Sequence, residues 1–159
     1  MPKHLFLLRH AEAQAATFQQ TDFDRPLTNV GIQEAMAAGK FIAELDLNIS
    51  TIICSAARRT LQTAQLVAQI IQVNPARIII NKDLYNAPAN NLLSAITMLK
   101  NAIKTVLVVA HNPAISEVVS MLSGKQSYYV PTGGCNYFLF DTTDWQAIEW
   151  ADCNHKNNY

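Results

Sequence analysis

The chain carries no excess of either charge, with 12 lysines and arginines against 12 aspartates and glutamates. No long-range field therefore draws in nucleic acid or an acidic membrane surface, and any basic site has to be assembled locally. Long apolar runs are missing as well. None approaches the ~18 residues of a membrane span, and the N-terminus shows no secretory cleavage pattern, so a cytoplasmic protein is expected. Cysteine is scarce: Cys54, Cys135 and Cys153 are odd in number and lack C-x-x-C spacing, which argues against a zinc site and against a disulfide framework. Cys135 and Cys153 flank the last expected hairpin, where a cytoplasmic protein keeps thiols. There is no Gly-x-x-x-x-Gly-Lys loop and no acidic cluster for magnesium, which disfavours a nucleotide-dependent kinase. Repeats, linkers and low-complexity stretches are also absent.

What is present points to a packed globular chain. Its 159 residues suit one domain that buries roughly two-thirds of its surface, and a 50% hydrophobic content excludes a purely solvated chain. The expected division is a single domain over 1–153 and a polar, frayed tail over 154–159.

An apolar run from Leu5 to Leu8 reads as a buried strand that stops at Arg9-His10. Ala13 to Asp24 lacks a period and reads as a loop. Arg25-Pro26-Leu27-Thr28 then leads into a helix, with Thr28 as N-cap. Its apolar stripe is Ile32, Ala35, Met36, Gly39, Ile42 and Ala43; Gly31 and Gly39 weaken it in isolation, so packing must hold it. Ile49 to Cys54 is a second strand, followed by Ser55 and a helix marked by Ala57, Leu61, Ala64, Ala68 and Ile71 that breaks at Asn74-Pro75. Arg77 to Ile80 gives a third strand, Asp83 to Asn91 a loop, and Leu92, Leu93, Ile96 and Leu99 a helix. Thr105 to Ala110 is apolar on both faces, as central parallel strands are. It ends at His111-Asn112-Pro113, where Pro113 suits the first helical position and Ile115, Val118, Val119 and Leu122 continue to Gly124. Tyr137 to Phe140 and Ala147 to Trp150 read as a closing antiparallel hairpin. Strand and helix alternate through most of the length, which predicts an α/β chain: a three-layer α/β/α sandwich on a mostly parallel mixed sheet.

Ligands of open α/β sheets bind at the carboxyl ends of the strands. Three features fall at such ends: Arg9-His10, then Ser55 with Arg58-Arg59, then His111-Asn112. A lone histidine is more often a satisfied core residue, and Arg58-Arg59 alone is equally a solvated helix face. Three coincidences at equivalent places suggest one crevice holding two histidines and two or more arginines. Guanidinium forks match the equatorial oxygens of a transferring phosphoryl group, helix N-termini add free N–H groups, and histidine is a competent acceptor.

Leu-Arg9-His10-Ala-Glu12, Arg25-Pro-Leu-Thr-x-x-Gly31, Ser55-x-x-x-Arg59-x-x-Gln62-Thr63-Ala64 and Val-x-x-His111-Asn112-Pro113 together resemble the histidine phosphatase (phosphoglycerate-mutase-like) superfamily. The small size, Leu84-Tyr85-Asn86 and Pro131-Thr132-Gly133 resemble its SixA-type phosphohistidine phosphatases. The resemblance implies the phosphoglycerate-mutase-like fold, no metal or other cofactor, and a phosphorylated His10. It implies that Arg9, Arg59 and His111 bind the phosphoryl oxygens, with Arg25 and the neighbourhood of Asn112 assisting. The motif selects Arg59 over Arg58, whereas a helical wheel would bring Arg58 nearer the apolar stripe. Thr28 is explained as a cap, and Glu12 as a residue orienting the loop.

Two departures matter. Ala11 stands where the family often has glycine, a small change. Asn86 stands where ester-cleaving members carry an acid. An alkoxide leaving group needs a proton, whereas an imidazole, whose conjugate acid has a pKa of about 6.5, needs far less help. The absence fits P–N cleavage, with Asp83 the nearest carboxylate able to act as a displaced acid. Short insertions suggest an open crevice that admits a phosphohistidine on another protein, and the resemblance makes a histidine-phosphotransfer domain or a phosphocarrier the expected partner. Two rivals remain: a small-molecule phosphomonoesterase using the same site, and a non-catalytic phosphate- or phosphoprotein-binding module. Oligomeric state is not readable from the sequence.

Overall fold

The computed structural model describes residues 1–159. Six strands form one sheet: β1 (Lys3–Arg9), β2 (Thr51–Ser55), β3 (Ile78–Asn81), β4 (Thr105–Ala110), β5 (Cys135–Phe140) and β6 (Cys153–Asn157), in spatial order β3-β2-β4-β1-β5-β6. The first four run parallel, while β5 is antiparallel to β1 and β6 to β5. Four helices complete the chain: α1 (Asn29–Glu44), α2 (Arg58–Ile70), α3 (Ala89–Thr97) and α4 (Ala114–Ser123).

The period of two along β1 and β4 creates the layers. Leu5, Leu7, Val106, Val108 and Ala110 face α3 and α4 and pack with Leu92, Ile96, Val118 and Trp145. Phe6, Leu8, Leu107 and Val109 face α1 and α2 and pack with Ala38, Ile42, Ala64 and Val67. Both faces being covered explains why these strands read as continuous apolar runs. The result is the three-layer α/β/α sandwich expected from the sequence, and no helix is long and apolar enough to cross a membrane.

Local chemistry sets the helix ends. Thr28 caps α1, its hydroxyl accepting from the Gly31 amide at 3.0 Å. Gly124, left-handed at φ 70°, terminates α4. Pro113 lies one residue before α4, and α2 begins at Arg58, beyond the Ser55 start expected for it.

The C-terminal region differs from the reading above. Ala147 to Trp150 does not form the returning strand. Trp145 is fully buried, its Nε1 donating to the Ile103 carbonyl at 2.8 Å, and Asp144 caps a short 3-10 turn by accepting from the Gln146 amide. This anchor pulls the segment off the sheet, leaving Trp150 exposed. The return strand is β6, drawn from the polar stretch expected to fray. Its ladder with β5 runs from Phe140–Cys153 to Asn136–Asn157. An edge strand can be polar because the backbone ladder holds it, and here His155 also stacks on Phe138 with ring centroids 4.5 Å apart.

Candidate active site

The register of β1 and β4 pairs Arg9 with Ala110, so the residues just beyond, His10 and His111, emerge side by side. The His10 amide donates to the Ala110 carbonyl at 3.0 Å, and the two rings lie 5.3 Å apart. On the other side, the Arg9 amide donates to Gly134, and the Gly133 amide reaches the carbonyls of Arg9 and His10. Next to β4, strand β2 delivers Ser55 and then the first turn of α2, from which Arg59 reaches inward. Arg9, His10, Arg59 and His111 line a crevice of about 630 Å³ at the carboxyl ends of the strands, with Arg25, Thr132 and the loop after β3 at its rim. The three coincident strand ends of the sequence are therefore neighbours.

Hydrogen bonds fix both imidazole tautomers. The Nδ1 of His10 lies 2.8 Å from the Ala11 carbonyl, which can only accept, so Nδ1 carries the proton and Nε2 keeps its lone pair. Burial, with Arg59, Arg9 and Arg25 nearby, pushes His10 down to about 4 against the pull of the Ala11 carbonyl. At neutral pH its ring is uncharged, with that lone pair free. His111 receives an N–H from Arg59 on Nδ1 at 3.3 Å, which leaves its proton on Nε2, donated to the Ser55 hydroxyl at 2.8 Å. Burial, then His10 and Arg59, push His111 down to about 3.

The arginines are held at their ends. Arg9 donates through Nη1 to the Tyr129 hydroxyl at 3.0 Å and the Val130 carbonyl at 3.2 Å. Arg59, buried, donates through Nη1 to the Asp22 carbonyl at 2.7 Å and through Nη2 to the Asp22 carboxylate at 3.2 Å. Both retain a buried Nε–H with no partner. Orphaned buried donors are uncommon and costly, and two of them on arginines lining one crevice with His10 are what an oxyanion would satisfy. Arg58 is exposed, so the motif and not the helical wheel identifies the inward arginine. Arg25 lines the crevice while donating to the Asp22 carboxylate at 3.0 Å and to the Gln14 carbonyl at 3.0 Å.

Asn112 also lines the crevice, but its side chain is committed to its own surroundings. It donates to the Val130 carbonyl at 2.9 Å and accepts from the Ser116 amide and hydroxyl at 3.1 and 2.7 Å. Glu12 accepts from the Thr28 hydroxyl at 2.5 Å. Asn86, exposed and left-handed at φ 52°, lies at the rim, whereas Asp83 is exposed in a 3-10 turn and does not line the crevice. No three His, Cys, Asp or Glu side chains come together in a way that could hold a metal ion.

Residues 5–92, the segment that supplies β1, His10, Arg25 and Arg59, match the histidine phosphatase superfamily (branch 1). The chain belongs to that superfamily. Among its relatives, a phosphohistidine phosphatase SixA homolog of Haemophilus influenzae is 27% identical over 143 residues, covering 81% of this chain and 84% of the relative. A crystal structure of a candidate phosphohistidine phosphatase SixA from Agrobacterium tumefaciens superposes with TM-score 0.78 at 28% identity, over 87% of this chain and 92% of that one. A protein of the same description from Nakamurella multipartitia, at 24% identity and TM-score 0.81, covers 100% of this chain and 96% of its own and shares the fold.

In this histidine phosphatase, two residues that sequence reasoning passed over join the site. Asp22 accepts from Arg25, from Arg59 and from the Tyr85 hydroxyl, the last at 2.6 Å. The Tyr85 bond, then Arg59 and Arg25, hold its carboxyl at about 2 against the opposing effect of burial. Tyr85 in turn sets its ring edge-on to His111 at 5.7 Å. Tyr85 sits inside Leu84-Tyr85-Asn86, whereas Asp22 lies in the aperiodic loop three residues before Arg25, outside any motif. Thr63, four residues after Arg59, accepts from the Ala11 amide at 3.0 Å and fixes the turn behind His10.

Proposed function

We propose that this protein is a phosphohistidine phosphatase that removes the phosphoryl group from a histidine on a partner protein. The observation that carries the reading is His10: uncharged, its Nδ1–H spent on the Ala11 carbonyl, its Nε2 lone pair free in a crevice with two orphaned guanidinium donors. Superfamily membership supports a phosphatase. The names of the relatives from Haemophilus influenzae and Agrobacterium tumefaciens support phosphohistidine as the substrate.

In the first step Nε2 of His10 attacks phosphorus in line. The bond from phosphorus to the substrate nitrogen breaks, and its electron pair leaves with the substrate ring, which carries a proton on its other nitrogen and so departs as neutral imidazole. In the second step water attacks the phosphorus of phospho-His10, one water proton passes to a phosphoryl oxygen, and the bond from phosphorus to Nε2 breaks with its electron pair returning to Nε2, which releases dihydrogen phosphate and free His10. Arg9 and Arg59 stabilise the equatorial oxygens in both steps. His111 starts as an acceptor from Arg59. The incoming dianion raises its basicity, so that it takes a proton and becomes a donor to the same oxygens. Arg25 adds positive charge at the rim, and Asn112 serves by fixing the turn between β4 and α4.

Asn86 at the rim and exposed Asp83 outside the lining leave the loop after β3 without a proton donor in the crevice. That suits an imidazole leaving group. The partner is then a histidine-phosphotransfer domain or a phosphocarrier. The test is incubation with chemically phosphorylated histidine proteins, following loss of substrate phosphate and acid-labile label on His10. Wild type should turn over and be labelled, and His10→Ala should do neither. Full activity in His10→Ala overturns the mechanism.

One observation favours the ester-cleaving alternative: Glu12 is the one carboxylate residue among those lining the crevice, although its Oε2 accepts from the Thr28 hydroxyl. A panel of phosphate esters hydrolysed faster than phosphohistidine, with Glu12→Gln abolishing only the ester activity, would establish that reading instead.

A further inference from the structure

A guanidinium offers two bidentate edges, one made of Nη1 and Nη2 and one of Nε and Nη2. On Arg59 the first edge is fully taken by a single residue: Nη1 meets the Asp22 carbonyl at 2.7 Å and Nη2 the Asp22 carboxylate at 3.2 Å. The second edge contains the orphaned Nε, and the Nη2 it includes also reaches Nδ1 of His111 at 3.3 Å. Asp22 therefore decides which edge of Arg59 remains for an oxyanion. Its carboxylate has two further partners on two further segments, Arg25 in the loop before α1 and Tyr85 after β3. One residue thus ties three otherwise separate pieces of the rim together.

We propose that Asp22 is the positioning residue of this site, acting through Arg59 by turning the Nε edge of that guanidinium toward the reacting phosphoryl group. The proposal rests on the reading above only in taking Arg59 as a phosphoryl contact. Asp22 does not itself touch the substrate in this scheme. It also sets a division between ground-state and transition-state binding. Its negative charge stands beside the anion site and weakens attraction for any phosphate, while the fixed guanidinium favours the trigonal geometry of the transition state. Removing the charge but keeping the shape should therefore move the two in opposite directions. A residue that merely held the fold together would weaken both.

The experiment compares wild type, Asp22→Asn and Asp22→Glu as full chains. Inorganic phosphate serves as the ground-state probe, orthovanadate as the transition-state-like probe and free phosphohistidine as substrate. In Asp22→Asn, phosphate should bind at least as tightly as in wild type and vanadate at least tenfold less tightly, with kcat at least tenfold lower. Asp22→Glu, which restores the charge, should recover part of the kcat. The Nε–H resonance of Arg59 should be sharp in wild type, shift on adding vanadate, and broaden in Asp22→Asn. Equal weakening of phosphate and vanadate, or an unchanged Nε–H resonance, overturns the proposal. A wild type that never hydrolyses phosphohistidine refutes the function proposed above, while the two binding measurements and the resonance still decide the role of Asp22. Should Asp22→Asn fail to fold, Asp22→Glu with a broadened Nε–H and unaltered kcat overturns it equally.

Discussion

Acidification from about pH 7.5 to about pH 4.5 should destabilise the fold through the two site histidines. Their folded values are about 4 for His10 and about 3 for His111, against about 6.5 for an unfolded histidine. The unfolded chain therefore binds more protons in this window, and stability falls as the pH falls through about 6.5. At about pH 4.5 each unfolded histidine is almost fully charged while its folded counterpart is mostly neutral, which costs about 2.5 kcal/mol per residue and about 5 kcal/mol for the pair. Asp22, held at about 2, remains ionised throughout and does not contribute. The Glu34 carboxyl, pushed up by burial, works the other way, and His4 and His155, lowered by burial but only half-buried, add in the same direction. Urea melts at the two pH values, on wild type and on His10→Gln and His111→Asn, isolate the site residues. Each variant should lose about half of the site's share of the pH dependence. Variants with the same pH dependence as wild type, or ring proton signals of His10 and His111 that titrate near pH 6.5, would refute the reasoning.

Other consequences are simpler. Arg59→Lys keeps the charge, but one ammonium cannot hold Asp22 and present a second edge to an oxyanion, so kcat/KM for phosphohistidine should fall by about 2 kcal/mol, or roughly 30-fold. A Cβ at Gly31 would overlap the Glu12 carbonyl oxygen; Gly31→Ala should lower stability by about 1–3 kcal/mol in chemical denaturation and slow turnover by shifting the loop behind His10. Trp145→Phe removes a buried donor to the Ile103 carbonyl, a group that still receives Lys3 at 3.0 Å. It should cost about 1–2 kcal/mol of stability with kcat unchanged per folded molecule, as read by thermal melting beside a turnover assay.

The fold was legible where burial alone decides structure. Thr105 to Ala110 is a strand over that same range because every side chain in it is buried, and Thr28 caps α1 because its hydroxyl has an amide to accept from. The returning strand was misread because its cue, an apolar alternation, is absent. Asn154, His155 and Lys156 are held by backbone pairing to β5, while the apolar residues Trp145 and Ile148 are buried in the core layer under α3 and α4 and not in a strand. At the site, short motifs identified the histidines and the inward arginine. Asp22 could not be read in the same way. Its three partners lie 3, 37 and 63 residues away, and a loop residue whose role depends on such distant contacts leaves no local period.

The peptide carrying His10 is bonded to β4 on one side and to Gly133 and Gly134 on the other. His10 thus sits on a floor with no cheap local opening, and its amide should exchange hydrogen only when the whole domain unfolds. At the rim, by contrast, segments around Asp22 and Tyr85 are joined by side chains and not by a ladder. Floor and rim can then change at different rates. Substitutions in the rim segments that spare Asp22, and so leave Arg59 held, can reshape the mouth of the crevice while the floor beneath stays intact, which gives this architecture room to diversify by loop exchange.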